Sequence, residues 1–374
     1  MARRLGIIVN PIAGMGGRVG LKGTDGAETL LRARALGAEP IAAARCLRAL
    51  RRLIAEAPCQ ILAPPGAMGG AVAADAGLAP TAIDLPTQDA TNAEDTRLAA
   101  TRMAAAGVDL ILFAGGDGTA RDVLAGVGLS VPILGVPTGV KMQSAVFGTS
   151  PEAAGSIAAR FLRDGPGRIR LREAEVMDLD EAALRQGQVV ARLFGTAMVP
   201  DDGHSMQSAK APSLPDDDDA LDALARRVAR EWPEDRLLIL GCGTTTRRLK
   251  RALGFEGTLL GVDAILGGYP VALDVSEATL LHLLERTPRA AIAVSPTGGQ
   301  GFLFGRGNQQ ISPEAIRRVG RDGIMVLAGA RKLLGLRPTV LHVDTGDIAV
   351  DAMLAGHIAV HTAPGRQMIM KLVT

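Results

Sequence analysis

Residues 113–122 read FAGGDGTARD and place one carboxylate, that of Asp117, among glycines at the end of the apolar run VDLILFA. Glycines let backbone N–H groups come close to an anion such as phosphate, and a helix that begins after the turn adds the positive end of its dipole. A carboxylate is repelled by phosphate unless it handles a proton or a magnesium ion, and phosphoryl transfer needs both. The turn therefore predicts half of a kinase site, with Asp117 as its catalytic residue.

The GDG triplet alone also fits a plain tight turn in which the aspartate caps the next helix, because single short motifs are weak signals. Two more glycine-rich turns, VNPIAGMGGRVGLKG and GVPTGVKMQSAVFG, follow apolar strand-like runs and favour the ligand-binding interpretation. In a parallel sheet such turns lie at the carboxyl ends of strands, where open α/β sheets bind ligands. The candidate nucleotide contacts in these two turns are Gly14, Gly16, Gly17, Lys22, Thr138, Gly139 and Lys141.

The two lysines in these turns are uncommon residues here, because the 41 basic residues comprise 35 arginines and only 6 lysines. An ammonium group on a flexible stem can reach a phosphate oxygen as a mobile point charge. The alternative is that Lys22, like the nearby Arg18, is a solvated loop charge. The five glycines around it favour phosphate contact.

The elements that must position these turns alternate between strand and helix. LGIIV (5–9), CQILAP (59–64), VDLILFA (108–114) and VPILGVP (131–137) are short and apolar throughout, as strands covered on both faces must be. Helices are predicted over GAETLLRARALG and over TNAEDTRLAATRMAAAG, where Thr91 and Glu94 form a capping-box pattern. We predict an α/β fold whose doubly wound nucleotide-binding domain spans residues 1–165.

The pattern changes near residue 168, and we predict a second domain over residues 166–374 that is β-rich with mixed α+β structure. It opens with two half-buried strands joined by a polar turn around Gly187, which predicts an antiparallel hairpin. Residues 201–219 form a polar loop. Apolar residues then recur at helical spacing, at Leu221, Leu224, Ala225, Val228 and Trp232.

Composition excludes several classes of function. A net charge of +2 and 2% aromatic residues argue against nucleic acid as a partner. Three single cysteines give no disulfide framework and no zinc spacing, which favours a cytoplasmic location. The longest uncharged stretch, 123–140, is interrupted by glycines and prolines, so we expect no membrane segment.

The combination of NPIAG near the amino terminus with GGDGT about a hundred residues later resembles the superfamily of NAD kinases, diacylglycerol kinases and phosphofructokinases. VNPIAGMGGRVGLKGTDG, GGDGTARD, GVKMQSAVF and GGQGFLFGRGNQQISPEAIRRVG resemble, more narrowly, the ATP-NAD kinase family branch that includes acetoin-catabolism protein X. The resemblance runs from Ile7 almost to the end of the chain. It implies ATP and Mg²⁺ as cofactors and NAD or NADH as the substrate.

The resemblance also implies roles for individual residues. Asp117 would activate the 2'-hydroxyl of the adenosine ribose of NAD. Gly115, Gly116, Gly118 and Thr119 would surround the phosphates, and Asn10 would belong to the same nucleotide site.

The chain departs from typical NAD kinases in two motifs, because it has neither their NE dipeptide, which contacts NAD, nor a clean GSTAY. SPTGGQGF, with Thr297, Gly298, Gly299 and Gln300, is the favoured replacement for GSTAY. The alternative is GCGTTTRR, where Thr244, Thr245 and Thr246 suit a phosphate at a helix amino terminus. Asp263, at the end of an apolar strand, is a candidate for a supporting role behind the nucleotide contacts.

Other polar clusters favour plain structural interpretations. His357 and His361 have a metal-like spacing, but HIAVH reads as a strand without a nearby carboxylate, so we predict no metal site there. Asp178, Asp180 and Glu181 could bind magnesium but fit solvated turn charges better. Asp344 and Asp347 either shape the nucleotide site or belong to ordinary turns.

The leading hypothesis is a kinase that transfers the γ-phosphoryl group of ATP to NAD or NADH and forms NADP(H). One alternative is a kinase of the same superfamily with a lipid or small-metabolite acceptor. The other is a catalytically silent regulator that binds NAD(H) or another nucleotide. The strand-rich second domain makes a homo-oligomer, a dimer or a tetramer, our expectation for quaternary structure.

Overall fold

A computed structural model describes residues 3–21, 27–86, 91–139, 142–165, 169–179, 191–201, 206 and 217–374. The chain divides into two compact units. Unit 1 comprises Met1–Met15 and Glu39–Ala209, and unit 2 comprises Gly16–Ala38 and Lys210–Thr374.

Unit 1 contains a five-stranded parallel sheet in the order β3-β2-β1-β4-β5. Its strands are Arg4–Val9 (β1), Gln60–Ala63 (β2), Thr81–Ala82 (β3), Leu110–Gly115 (β4) and Ile133–Pro137 (β5). Every residue of β4 and β5 is buried, so both faces of the sheet are covered. The doubly wound architecture predicted from the apolar runs is confirmed.

Four of the five helices in the described part of unit 1 form two packed pairs. The five helices are Ala42–Ile54 (α2), Gly70–Asp75 (α3), Ala93–Ala105 (α4), Asp117–Val127 (α5) and Pro151–Asp164 (α6). The first helix of the chain, Ala27–Ala35 (α1), belongs to unit 2. Helix α2 packs against α6, and α4 packs against α5. The capping box of α4 is one residue further along than predicted. Asn92 is the N-cap and Asp95 its partner, so the prediction of Thr91 with Glu94 was wrong.

Beyond the sheet, unit 1 includes the antiparallel hairpin of Leu171–Leu179 (β6) and Ala191–Pro200 (β7). The predicted hairpin is confirmed, and its turn around Gly187 lies outside the described residues, as do Asp180 and Glu181. Ala174, Val176, Ala197 and Val199 are buried in the core of unit 1. The division into units therefore differs from the predicted boundary at residue 165, because the apolar face of this hairpin completes the core of unit 1.

Unit 2 is built on a nine-stranded mixed sheet in the order β10-β9-β8-β11-β13-β15-β16-β14-β12. Its strands are Leu237–Leu240 (β8), Asp263–Leu266 (β9), Tyr269–Ala272 (β10), Ala290–Val294 (β11), Phe302–Phe304 (β12), Ile324–Leu327 (β13), Leu341–Val343 (β14), Gly356–Ala363 (β15) and Arg366–Val373 (β16). The β-rich second domain is confirmed. His357 and His361 lie on β15, as predicted.

The helices of unit 2 are α1, Asp218–Glu231 (α7), Thr244–Ala252 (α8), Glu277–Arg286 (α9), Pro313–Val319 (α10), Ala330–Leu334 (α11) and Ile348–Leu354 (α12). Leu221, Leu224 and Ala225 of α7 are buried, which confirms the predicted helical face. Within the described parts of the chain, no helix has the length and apolar character needed to cross a bilayer. The uncharged stretch that begins at Val123 passes from α5 to β5 instead.

Candidate active site

The three glycine-rich turns follow three adjacent strands of the unit 1 sheet, β1, β4 and β5. Val9 at the end of β1 is in register with Ala114 of β4, and Gly115 at the end of β4 is in register with Pro137 of β5. Because the strands are parallel, the turns leave the sheet at the same edge. The predicted convergence of the turns is confirmed for the described residues of unit 1.

Asn10 connects the first of these turns to the second. Its backbone N–H donates to the carbonyl of Ala114 (2.9 Å), and its side-chain Nδ2 donates to Oγ1 of Thr119 (2.9 Å). Its Oδ1 accepts from the backbone N–H of Ile12 (3.2 Å). The structure therefore brings Asn10 and Thr119 together, two residues 109 positions apart that the resemblance assigned to one site.

Gly14 is required because the turns after β1 and β5 pack against one another: a Cβ on Gly14 (φ +82°) would lie 2.5 Å from the Thr138 carbonyl oxygen. A Cβ on Gly115 would meet Oγ1 of Thr119 in its own turn at 2.3 Å. A Cβ on Gly116 would make only an ordinary contact, 3.4 Å from the Cα of Gly139. The first two glycines therefore allow close packing within the protein. Their contact with phosphate stays a prediction.

Asp117 is the first residue of α5, after the N-cap Gly116, and its side chain is buried. Its Oδ2 accepts from the backbone N–H of Gln143 (2.7 Å). Its Oδ1 accepts from the N–H (3.0 Å) and the hydroxyl (2.6 Å) of Ser144. These three bonds join the carboxylate to the segment after β5, and none of them caps α5. We call Asn10, Asp117, Thr119, Thr138 and Ser144 the Asp117 site.

The amino terminus of α5 gives the Asp117 site a positive potential. The first amides of a helix have no carbonyl partner within the helix, and the helix dipole concentrates positive charge there. Gly118 and Thr119 belong to this first turn. The arrangement suits an anion held by backbone amides beside a carboxylate, which is the combination that phosphoryl transfer requires.

The sequence predicted Thr138 but missed two buried groups of this region. Oγ1 of Thr138 is buried and has no hydrogen-bond partner in the structure. Arg45 of α2 is buried and donates through Nε to the carbonyl of Pro137. Arg45 lies at helical spacing among Ala42, Cys46 and Ala49, so its position on the buried helix face was visible in the sequence. In the sequence, Ser144 was recognisable only as a polar residue directly before the apolar run AVF.

Two predicted phosphate contacts, Lys22 and Lys141, lie outside the described residues. Gly16 and Gly17 belong to unit 2. The carbonyl of Gly16 accepts from the N–H of Leu21 (2.9 Å), and a Cβ on Gly17 would lie 1.6 Å from Oε1 of Gln309. A larger residue at position 17 would have to displace the Gln309 side chain.

The two candidate replacements for GSTAY both lie in turns of unit 2. Thr244–Thr246 open α8 directly after the N-cap Gly243, so the predicted strand-to-helix turn is confirmed, and Thr246 donates to the Gly243 carbonyl (3.0 Å). Thr297–Gln300 follow β11, where the N–H of Gly301 donates to the Thr297 carbonyl (2.8 Å). Next to this turn, Nζ of Lys332 donates to Oγ of Ser295 (3.1 Å), a contact that the sequence did not reveal.

Asp263 has a structural role within unit 2. It is fully buried, and its Oδ2 lies 2.8 Å from Nζ of the fully buried Lys250. It also accepts from the N–H (2.7 Å) and hydroxyl (2.8 Å) of Thr258 and from the N–H of Asp274 (2.8 Å). Burial lowers the pKa of Lys250, and the charge of Asp263 opposes that shift. Asp263 thereby fixes the loop before β9, and its supporting role behind the nucleotide contacts stays a prediction.

The two aspartates of the acidic turn VDTGD have separate structural roles. Asp347 is the N-cap of α12 and accepts from the N–H groups of Ala349 and Val350. Asp344 is buried 3.8 Å from the guanidinium of Arg306, which lies over the Phe302 ring. His342 is tilted against the same ring, and its burial, with the nearby Arg306 charge, lowers its pKa to about 4.

Two family models match this chain. The ATP-NAD kinase N-terminal domain matches residues 5–165, and the ATP-NAD kinase C-terminal domain matches residues 234–372. The chain belongs to the ATP-NAD kinase family. The comparison with curated proteins gives no match. As a member of the ATP-NAD kinase family, the chain is a kinase of the NAD kinase type, and the family resemblance of its NPIAG and GGDGT motifs is confirmed.

Proposed function

We propose that this kinase transfers the γ-phosphoryl group of ATP to the 2'-hydroxyl of the adenosine ribose of NAD or NADH. The observation that supports it most strongly is the buried carboxylate of Asp117 at the amino terminus of α5. It lies where β1, β4 and β5 end, in a chain matched by both domains of the ATP-NAD kinase family. A carboxylate beside helix amides suits both the proton and the phosphate of this reaction.

Asp117, Asn10 and the first amides of α5 each have a task in the proposed reaction. The first amides of α5 hold phosphate oxygens and stabilise the charge on the transferring group. Asp117 takes the proton of the acceptor hydroxyl as its oxygen attacks the γ-phosphorus. Asn10 keeps the β1 turn and the first turn of α5 in a fixed relation through its bond to Thr119.

The residues fit a magnesium ion that is held mainly by the nucleotide. Among the described residues, no group of three or more His, Cys, Asp or Glu side chains could hold a metal. Magnesium in kinases usually keeps several waters and takes substrate phosphates as ligands, so most of its coordination would come from the bound nucleotide while Asp117 handles the proton. When bound, the ion would neutralise charge on the β- and γ-phosphates.

Product formation by the purified full-length protein tests the proposal. The protein is incubated with Mg²⁺, with ATP as donor and with NAD or NADH as acceptor, and NADP(H) is measured by a dehydrogenase that accepts only the phosphorylated coenzyme. We expect NADP(H) that increases with enzyme concentration and disappears when ATP is omitted. Absence of NADP(H) from both acceptors would refute the proposal.

A different acceptor hydroxyl is the second candidate, because the chain has no NE dipeptide of the kind that contacts NAD in typical NAD kinases. A panel of sugars, nucleosides and diacylglycerol with radiolabelled ATP tests it, and a labelled product from one of these acceptors but not from NAD(H) would support it. The third hypothesis is a catalytically silent regulator, and calorimetric titration with NAD and NADH tests it. Binding without turnover on any acceptor would support a regulator.

A further inference from the structure

Ser144 is a fully buried serine whose hydroxyl lies between Asp117 and the β6 strand. Its Oγ donates to Oδ1 of Asp117 (2.6 Å) and accepts from the backbone N–H of Met177 (2.9 Å). The Met177 carbonyl lies 3.1 Å from the same Oγ. A hydroxyl has one proton, and the shorter bond to a charged carboxylate is the stronger of its two options. The bonds therefore run in one direction, from Met177 N–H to the Ser144 hydroxyl to Asp117.

The segment that contains Ser144 is held from both sides. Toward β5, the N–H of Gly135 donates to the Val146 carbonyl (2.9 Å), and the N–H of Gly148 donates to the Gly135 carbonyl (3.0 Å). Toward β6, the N–H of Ala145 donates to the Glu175 carbonyl (2.8 Å). The regular pairing of β6 with β7 shifts register between Val176 and Met177, next to the residue that meets Ser144. The donors on Asp117 are thus fixed to two strands of unit 1.

We propose that Ser144 is a positioning residue for the phosphoryl transfer, an inference that rests on the proposed function. Its N–H and hydroxyl both donate to Oδ1 of Asp117, while Oδ2 accepts from the N–H of Gln143, so Ser144 fixes the orientation in which the carboxylate would present Oδ2 to the acceptor hydroxyl. In the reaction, the acceptor O–H bond breaks and its proton moves to Oδ2. A bond then joins the acceptor oxygen to the γ-phosphorus as the bond to the departing ADP breaks.

A positioning role for Ser144 predicts a result that a purely structural role does not. If Ser144 acts through Asp117, its removal matters only while Asp117 can accept the proton. Ser144→Ala should lower kcat by about 10- to 100-fold, the range expected when a reacting group loses its orientation. The KM values for ATP and for the acceptor should stay within about threefold, because Ser144 holds the carboxylate and does not bind substrate.

A double-mutant cycle with Asp117→Asn is the test, with kcat measured by a cycling assay that amplifies NADP and folding checked by thermal melting. We expect Ser144→Ala to cost nothing further in the Asp117→Asn background, since residues that act as a unit are non-additive. The matched control is Ser150→Ala, which removes another hydroxyl of unit 1, the N-cap of α6 that accepts from Ala153 N–H. This control should lower the melting temperature and leave kcat unchanged.

The outcomes distinguish a failure of the role assigned to Ser144 from a failure of the proposed kinase function. A wild-type protein that phosphorylates no acceptor overturns both. An active wild type with an equally active Ser144→Ala variant, or with losses that multiply in the double variant, overturns the role of Ser144 alone. Where Ser144→Ala gives no folded protein, Ser144→Cys replaces it in the same cycle, because it keeps the branching of the side chain, fills the space with a somewhat larger atom and donates only weakly.

Discussion

At the scale of single residues, the buried charges of unit 2 show how a polar side chain is tolerated inside a core. Lys250 and Asp263 are both fully buried and form a 2.8 Å ion pair. Nζ of Lys250 also donates to the carbonyl of Thr258 (2.7 Å), and Asp263 accepts from three further groups. Removing one partner of such a pair leaves an uncompensated buried charge, which costs far more than the pair contributes.

Lys250→Met should therefore lower the free energy of unfolding of unit 2 by about 3–5 kcal/mol. Urea unfolding followed by the fluorescence of Trp232, the chain's one tryptophan and a residue of unit 2, measures it. Lys371→Met, at an exposed position, is the control and should change stability by no more than about 0.5 kcal/mol. The double variant Lys250→Met/Asp263→Asn should recover part of the loss, and a double variant less stable than Lys250→Met would contradict this explanation.

His342 gives unit 2 a dependence on pH. Burial, aided by the charge of Arg306, lowers its pKa from 6.5 to about 4. Above pH 6.5 the imidazole is neutral in both states and contributes no pH dependence. Between pH 6.5 and about 4 the imidazole binds a proton in the unfolded chain but not in the folded protein. The free energy of unfolding therefore falls as the pH falls. The total loss from this residue should be about 3 kcal/mol.

His342→Gln should flatten the fall in unfolding free energy between pH 6.5 and pH 4, measured by urea unfolding at a series of pH values. Burial also lowers the pKa of His361, so a smaller slope remains in the variant. His361→Gln, at a half-buried position of β15, should remove only the smaller part of the slope and keep the part that comes from His342. An unchanged slope in His342→Gln would show that the buried imidazole does not titrate as described.

At the scale of elements, the start of α4 shows where sequence patterns reach their limit. Thr91 with Glu94 and Asn92 with Asp95 are both capping-box patterns in TNAED, one residue apart. The structure uses the second, with the Asn92 side chain accepting from the N–H groups of Glu94 and Asp95. Local propensity cannot choose between the two registers. The choice depends on which residues of α4 are buried, and these are Asp95, Thr96, Ala99, Ala100 and Met103.

Asn92→Ala should destabilise unit 1 by about 1 kcal/mol, because it removes the acceptor of two helix-terminal N–H groups. Thr91→Ala is the matched control and should have an effect close to zero. Thermal melting and amide hydrogen exchange in α4 measure the two variants. A larger loss for Thr91→Ala than for Asn92→Ala would restore the register that we first predicted.

The contrast between local sequence patterns and contacts over long distances in the chain also separates what the sequence could and could not predict about the site. The apolar runs predicted four of the five strands described in the unit 1 sheet, all but the two-residue β3, and the glycine turns after them predicted that they leave the sheet at one edge. The partners of Asp117 are 26 and 27 residues away in the chain, and the Asn10–Thr119 bond spans 109 residues. No local pattern encodes such contacts, so Ser144 could not be found from the sequence. The partners of Asp263 could not be found either.

At the scale of the whole molecule, the two units are not two consecutive stretches of the chain. Residues 16–38 belong to unit 2 although they lie near the amino terminus, and the β6–β7 hairpin belongs to unit 1 although it follows the first α/β segment. The change of pattern near residue 168 was visible in the sequence. The hairpin's membership of the first core depends on long-range packing of Ala174, Val176, Ala197 and Val199, which the sequence pattern does not specify.

The central claim is that the Asp117 carboxylate takes part in phosphoryl transfer to NAD(H). The most direct test is the kcat for ATP-dependent NADP formation by Asp117→Asn, compared with Asp122→Asn. Asp122 lies on the same helix, and its carboxylate pairs with Arg97 and Arg121, away from the first turn of α5. We predict that Asp117→Asn folds and loses at least about 100-fold in kcat, as expected when a general base is removed, while Asp122→Asn retains most activity. A folded Asp117→Asn protein with wild-type kcat would contradict the account.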